Sequence, residues 1–354
     1  MHTSHRLRAI PVAALAAALL LSGCSASNAG AAQDSATINL DAPPPEVPEL
    51  VAEFEDVEAG SGAGLTIGFT QLALSSPFPQ ALQAGMEAQA ELAGIDLITC
   101  DSELDAAKAL DCARQFKTQN VDGLVTFQAD AASAPAICDA GPQVPVFSVD
   151  IAQEPCESAF VGAANEYAGQ LIGYHLGQWF GEHERCDYDA FISLESTAVG
   201  EVNEQRMGGI RESFASVCGE IHDLKVIDTG AGGQADVALQ QMTDTLTALP
   251  GADKVIVVGI NEDVIVSALA AARTQNREDD LYLGVQNFDP TNCTITDAEH
   301  WLGSAAYFPE KYANLIVPNM IRAIAGEDVP EQILVPHEFI NAENVREYYP
   351  DFAC

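Results

Sequence analysis

Three places in this chain put hydrogen-bonding side chains directly after apolar runs. "VPVFSVD" (144–150) closes on Asp150, a carboxylate that is costly to bury without a partner, so a ligand contact fits it better than a core position. "KVIVVGI" (254–260) runs into Asn261, and Glu262 and Asp263 then open a helix, where acids suit the positive end of the dipole. "LTIGFT" (65–70) leads to Ser76-Pro77-Phe78. Ser76 suits a helix N-cap and Pro77 the first helical position, while Phe78 is suited equally to a cleft and to a core. Such groups can exchange hydrogen bonds with a small polar molecule. Bond-breaking chemistry would need a nucleophile with its base, and neither G-x-S-x-G nor H-E-x-x-H occurs. "TGAGGQAD" lacks the Lys-Ser/Thr of a phosphate loop and reads as a turn, and the seven histidines are scattered. The expectation is a protein that is not an enzyme, with no cofactor and no metal.

A fourth residue carries chemistry of another kind. Cys24 ends the run "AIPVAALAAALLL" (9–21) plus Ser22-Gly23, which follows the basic start "MHTSHRLR". The run is shorter than the roughly 20 residues that span a bilayer, so it reads as an export signal. Leu21-Ser22-Gly23-Cys24 resembles the bacterial lipobox, which implies a signal peptide over 1–23 and diacylglycerol on the Cys24 sulfur. The mature chain would then be extracytoplasmic and anchored to the cell membrane by lipid. Eight further cysteines in an exported chain suggest disulfides, and the absence of any C-x-x-C argues against a zinc or redox motif. Spacing alone does not fix connectivity. Together with the strand-helix order below, it makes sequential neighbours the expected pairs: Cys100–Cys112, Cys138–Cys156, Cys186–Cys218 and Cys293–Cys354.

Residues 24–63 are small, polar and proline-rich, which suits a flexible lipid-anchored linker; a docked strand or helix around "ELVAEFEDV" (49–57) is the alternative for part of it. The remainder is long enough for about two domains. The net charge of −37 repels nucleic acid and anionic lipid headgroups, both of which are bound through Lys and Arg. Acidity fits a solvated exterior and says nothing specific about a ligand.

These residues need a scaffold that brings strand ends together. Short apolar runs recur at 65–70, 95–100, 123–128, 144–150, 159–163, 189–195, 224–229, 254–260, 281–286 and 303–308, with helix-like stretches between them such as 77–94, 167–183 and 262–275. Alternation of this kind, with continuously apolar strands, predicts an α/β fold with parallel sheets covered on both faces. Trp179 and Trp301 read as helix-packing residues.

The order of the pieces resembles a type I periplasmic sugar-binding protein, close to the ribose-binding group. The resemblance runs from about 64 to 340 and rests on "TIGFTQLALSSPFPQALQAGMEAQAELAG", "VDGLVTF", "VPVFSVD", "FVGAANEYAGQLIGYHLG", "EQRMGGIRESF", "VIVVGINEDVIVSALAAA" and "YLGVQ". It implies two Rossmann-like lobes joined by a three-segment hinge: lobe one from 64–163 plus 308–336, and lobe two from 164–307 plus 337–354. It places ligand contacts at Ser76, Phe78, Asp150, Arg206, Asn261, Gln286 and Tyr307, suited to a sugar's donating and accepting hydroxyls. Pro79, Ile151, Gln286 and Gly233 depart from the family's usual aromatic, arginine, aspartate and aromatic, and the glycine suggests a roomier site or a ring supplied from elsewhere. The implied function is capture of a small sugar or polyol for delivery to an ABC transporter permease, by a monomer. The alternative is a sensory receptor presenting its closed form to a membrane kinase.

Overall fold

The computed structural model describes residues 38–128, 131–230 and 232–354; Cys24 and the signal segment lie outside them. In chain order come β1 (Thr66–Gln71), α1 (Pro77–Ala93), β2 (Asp96–Asp101), α2 (Ala106–Gln119), β3 (Gly123–Thr126), α3 (Ala134–Ala140), β4 (Val146–Val149) and β5 (Ala159–Ala163). Then follow α4 (Asn165–His183), β6 (Ala190–Glu195), α5 (Glu201–Cys218), β7 (Leu224–Asp228), α6 (Ala235–Ala248) and β8 (Val255–Gly259). The chain continues through α7 (Glu262–Thr274), β9 (Leu281–Gln286), α8 (Cys293–Thr296) and β10 (Trp301–Ala306). It ends with α9 (Ala313–Ile324), β11 (Gln332–Val335), β12 (Glu338–Ile340) and α10 (Val345–Tyr348).

The strands form two six-stranded sheets, ordered β11-β5-β4-β3-β1-β2 and β12-β10-β9-β8-β6-β7. Every pairing is parallel except β10 with β12. The chain therefore passes between sheets three times: after β5, after β10 and between β11 and β12. Central strands such as β8, "VIVVG", are buried throughout because helices cover both faces. The edge strand β7 alternates between exposed and half-buried. Local signals set the helix ends. Asp105 caps α2 by accepting from Ala107 N and Lys108 N, and Gly94 ends α1 in the left-handed region at φ 75°.

Three sequence expectations need correction. The strand expected at 303–308 lies at 301–306, because Phe308 has φ 54° and cannot continue an extended chain. Trp301 accordingly opens β10 rather than packing from a helix. It stacks on Phe288 and donates to Ser304 Oγ at 3.1 Å. The described part of the expected linker, from 38, is docked. Asn39 N donates to Val217 O, Val51 pairs with Leu334 at the free edge of β11, and Val57 is buried with its N–H on Gln89 Oε1. The apolar side chains Val51, Phe54 and Val57 have a surface to cover, and the unpaired β11 edge supplies hydrogen bonds.

The structure pairs Cys100 with Cys112, Cys138 with Cys156, Cys186 with Cys218 and Cys293 with Cys354. Each bond ties a helix or loop to its own neighbourhood. Cys186–Cys218, for instance, fastens the segment after α4 to the end of α5.

Candidate ligand-binding cleft

Open parallel sheets present their carboxyl ends as a crevice, since backbone groups and helix N-termini converge there. Here those ends meet in a cleft of about 620 Å³. All seven residues expected at the site line it: Ser76, Phe78, Asp150, Arg206, Asn261, Gln286 and Tyr307. From the first sheet come the turns after β1, β2, β3 and β4; from the second come those after β6, β7, β8, β9 and β10.

On the first side, Ser76 precedes α1 but makes no side-chain cap bond, and Pro77 opens the helix. Phe78 is half-buried and belongs to both surroundings. Its ring meets Phe127, Tyr307 and Tyr312 edge-on, at 6.1, 6.4 and 5.7 Å. Asp150 follows β4 with φ 55°, a conformation that Asp tolerates better than most residues. Its Oδ1 accepts from Ala163 N at 2.9 Å and from the Tyr312 hydroxyl at 3.4 Å, so Oδ2 is the oxygen left to meet a ligand. Gly162 permits this approach, because a Cβ there would lie 2.9 Å from Asp150 Oδ1. Burial raises the Asp150 carboxyl above its usual range, against the Ala163 N–H, the Arg206 charge and the Tyr312 hydroxyl, which favour the anion.

Arg206 sits on α5, and α5 packs on α4 at glycine distance. A Cβ on Gly169 would lie 2.1 Å from Arg206 O. This contact places the guanidinium in the cleft wall. Nε and Nη2 donate to Asn165 Oδ1 at 3.1 and 2.6 Å, and Nη1 donates to Ile260 O at 2.7 Å. The charge lies over the Tyr307 ring, 5.0 Å from its centroid. A surface ion pair with Glu201 or Glu204 is not formed. Tyr307 is fully buried and donates to Gln286 Oε1 at 2.6 Å, which leaves Gln286 Nε2 buried with no partner.

Asn261 does two things at once. Its Oδ1 caps α7 by accepting from Val264 N at 3.2 Å, and its Nδ2 donates to Gly232 O at 2.8 Å. Gly233 is constrained rather than roomy. It has φ 77°, and a Cβ there would lie 2.7 Å from Asn261 Nδ2.

The structure adds Gln128, Glu262, Asp263, Asn287 and Asp289 to the lining. Glu262 Oε2 accepts from Asn287 Nδ2 at 2.6 Å and Oε1 from Asp289 N at 2.9 Å. Burial pushes the Glu262 carboxyl up to about 7, helped by the nearby charges of Asp289 and Asp263. Asn287 Oδ1 is buried without a partner. Asn287 and Asp289 follow β9, just past the Gln286 that the resemblance picked, so the strand-end reading used for Asp150 and Asn261 extends to them. Glu262 was visible only as a helix-start acid. Side chains that donate and side chains that accept both line this cleft, beside the Phe78 and Tyr307 rings, which suits a molecule rich in hydroxyls. Among the described residues, no group of three His, Cys, Asp or Glu side chains could hold a metal ion.

Residues 67–328 match the family model described as periplasmic binding protein domain. The chain is 23% identical over 286 residues to the ribose import binding protein of Escherichia coli (strain K12), covering 79% of this chain and 91% of that one. Among solved structures, an ABC transporter solute-binding protein from Mycobacterium smegmatis with bound glycerol superimposes with a TM-score of 0.67 at 24% identity, over 80% of this chain and 96% of that one. A periplasmic solute-binding protein from Actinobacillus succinogenes 130z with bound D-allose gives 0.67 at 19% identity, over 80% and 100%.

Proposed function

The chain belongs to the periplasmic binding protein family, and from that premise we propose that it captures a small sugar or polyol outside the cytoplasm and presents it to an ABC importer. The observation that carries this reading is the unspent pair at the cleft wall: Gln286 Nε2, a donor, and Asn287 Oδ1, an acceptor, both buried and both without a partner. Leaving such groups unpaired costs about 1–3 kcal/mol each, and the several polar groups of a sugar or polyol can supply both the acceptor and the donor that relieve them. The glycerol and D-allose held by two of the structural neighbours are molecules of this kind.

The lobes are taken as 64–163 plus 308–336 and 164–307 plus 337–354. Asp150 Oδ2, Ser76 and Phe78 act from one side, and Arg206, Asn261, Gln286 and Tyr307 from the other. A ligand touching both sets favours the closed arrangement by the contacts made only there, and the three crossovers are the segments that bend. The protein acts by binding alone, with no reaction at the site. Cys24 carries the lipid that keeps it at the membrane.

Calorimetry against pentoses, hexoses, sugar alcohols and nucleosides tests the ligand class. Micromolar or tighter binding of at least one polyol is expected; binding of an amino acid or nucleobase alone would overturn the assignment. The intact mass of the N-terminal peptide from the membrane fraction tests the anchor, with an unmodified Cys24 as the result that removes it.

A further inference from the structure

One end of the cleft gathers acceptors without a cation, and we propose that it selects a ligand bearing a protonated amine, an amino sugar or amino-polyol, with the ammonium seated among Glu262, Asp263, Asp289 and Asn287. The inference rests on the sugar or polyol reading and narrows it.

Arg206 is the one cationic side chain among the described lining residues, and its charge is committed elsewhere. Asn165 and the Ile260 carbonyl hold it over the Tyr307 ring. The charged neighbours that act on Glu262 are Asp289 and Asp263, both acids, and Asp289 likewise disfavours the Asp263 anion. Three carboxylates crowd one wall with no fixed counter-charge. Glu262 and Asp263 stand in the first turn of α7, which tolerates acids. Yet Glu262 turns its oxygens to Asn287 Nδ2 and Asp289 N on the β9 side, so the helix end does not account for its position.

The second observation is a buried atom left without a partner. Asn287 is 8% exposed and spends its amide nitrogen on Glu262, and its Oδ1 has no partner. The atom left over beside the carboxylates is therefore another acceptor. A ligand hydroxyl there would bring its own lone pairs against a wall of oxygens. An ammonium offers three donors and no acceptor, so it matches that wall in number and in charge. Charge-assisted hydrogen bonds are about twice as strong as neutral ones, enough for selection by tenfold or more over the matching hydroxyl compound. Gln286 Nε2, the unpartnered donor next in the chain, then takes a neighbouring ligand hydroxyl.

A cation beside Glu262 also draws its proton off. Near pH 6 the free protein holds that carboxyl largely protonated, and binding an amine releases the proton to buffer.

The test is calorimetry at pH 6 with matched pairs: glucosamine against glucose, galactosamine against galactose and an aminodeoxy inositol against myo-inositol, with N-acetylated forms as uncharged controls. The expected result is at least tenfold tighter binding of one amine than of its hydroxyl and N-acetyl partners. Proton release is expected for the amine alone, read from buffers of different ionisation enthalpy that contain no primary amine. Glu262→Gln and, separately, Asp263→Asn should shrink the amine-to-hydroxyl ratio; should either fold poorly, the proton release of the unaltered protein decides. Hydroxyl or N-acetyl forms binding as tightly as the amines would overturn this inference and leave the sugar reading standing. Failure of every sugar and amino sugar, with an unrelated solute bound, would overturn both.

Discussion

Asp150 and Arg206 face each other across the cleft but differ in what they do for the fold. Burial raises the Asp150 carboxyl, so at neutral pH its charge opposes folding and its Oδ2 is reserved for ligand. Asp150→Asn is therefore expected to weaken ligand binding more than tenfold while the melting temperature stays level or rises. Loss of one charge-assisted bond costs about 1.5–3 kcal/mol, which sets that factor. Arg206→Ala should weaken binding as much and also lower the melting temperature, because Asn165 Oδ1 and Ile260 O lose their donors. Calorimetry beside thermal denaturation separates the two patterns, and equal thermal effects would contradict the division of roles. The sequence carried Asp150 because it closes an apolar run, whereas Arg206 came from the family resemblance alone. The sequence did not carry the partnership of Glu262 with Asn287, which needs α7 and β9 side by side. Adjacency of that kind is tertiary and leaves no spacing signal.

Elements position these groups through close packing. The α4–α5 pair shows how little room there is. Besides Gly169, a Cβ on Gly173 would lie 2.1 Å from Ile210 O, and one on Gly209 would lie 2.5 Å from Glu166 O. Gly169→Val should push α5 away, cost about 1–3 kcal/mol or more by overpacking, and carry Arg206 out of reach of Asn165. Chemical denaturation with ligand titration checks it; stability and affinity unchanged would show the contact to be slack. The strand-helix alternation was readable from apolar runs, and most boundaries fall within a residue or two. β11 and β12 escaped because they are four and three residues long and flank Pro336-His337. The docking of Val51 and Val57 stood only as the alternative for 49–57, for a related reason. Proline-rich composition described that segment's local preference, whereas the free β11 edge that receives it is formed by residues nearly 300 positions away.

At the scale of the whole molecule, one side chain joins all three crossovers. His337 lies between β11 and β12, 4% exposed, and accepts from Ala164 N through Nε2 at 3.0 Å. A backbone N–H can only donate, so Nδ1 carries the ring proton and gives it to Ala306 O, 3.1 Å away. Ala164 stands in the first crossover, Ala306 at the second, and His337 is itself the third. The Tyr307 ring packs against it at 4.5 Å. Burial, with the Arg206 charge beside it, lowers the imidazole from 6.5 to about 3. The unfolded chain therefore binds a proton that the folded chain refuses, so this residue's contribution is full above pH 6.5 and is lost as pH falls towards 3, by about 1.4 kcal/mol per pH unit. Glu262 works in the opposite sense between 4.5 and about 7, because its folded carboxyl holds the proton longer, so a stability profile of the unaltered protein mixes the two. His337→Gln separates them. A glutamine can accept from Ala164 N and donate to Ala306 O, yet it does not titrate. The stability of the natural protein minus that of His337→Gln, measured by denaturation from pH 3.5 to 8, should climb with pH up to about 6.5 and then level off. The contributions of Glu262 and of His175, which burial lowers to about 4, cancel in that difference. A flat difference across the whole range would mean that His337 is solvated and does not hold the crossovers together.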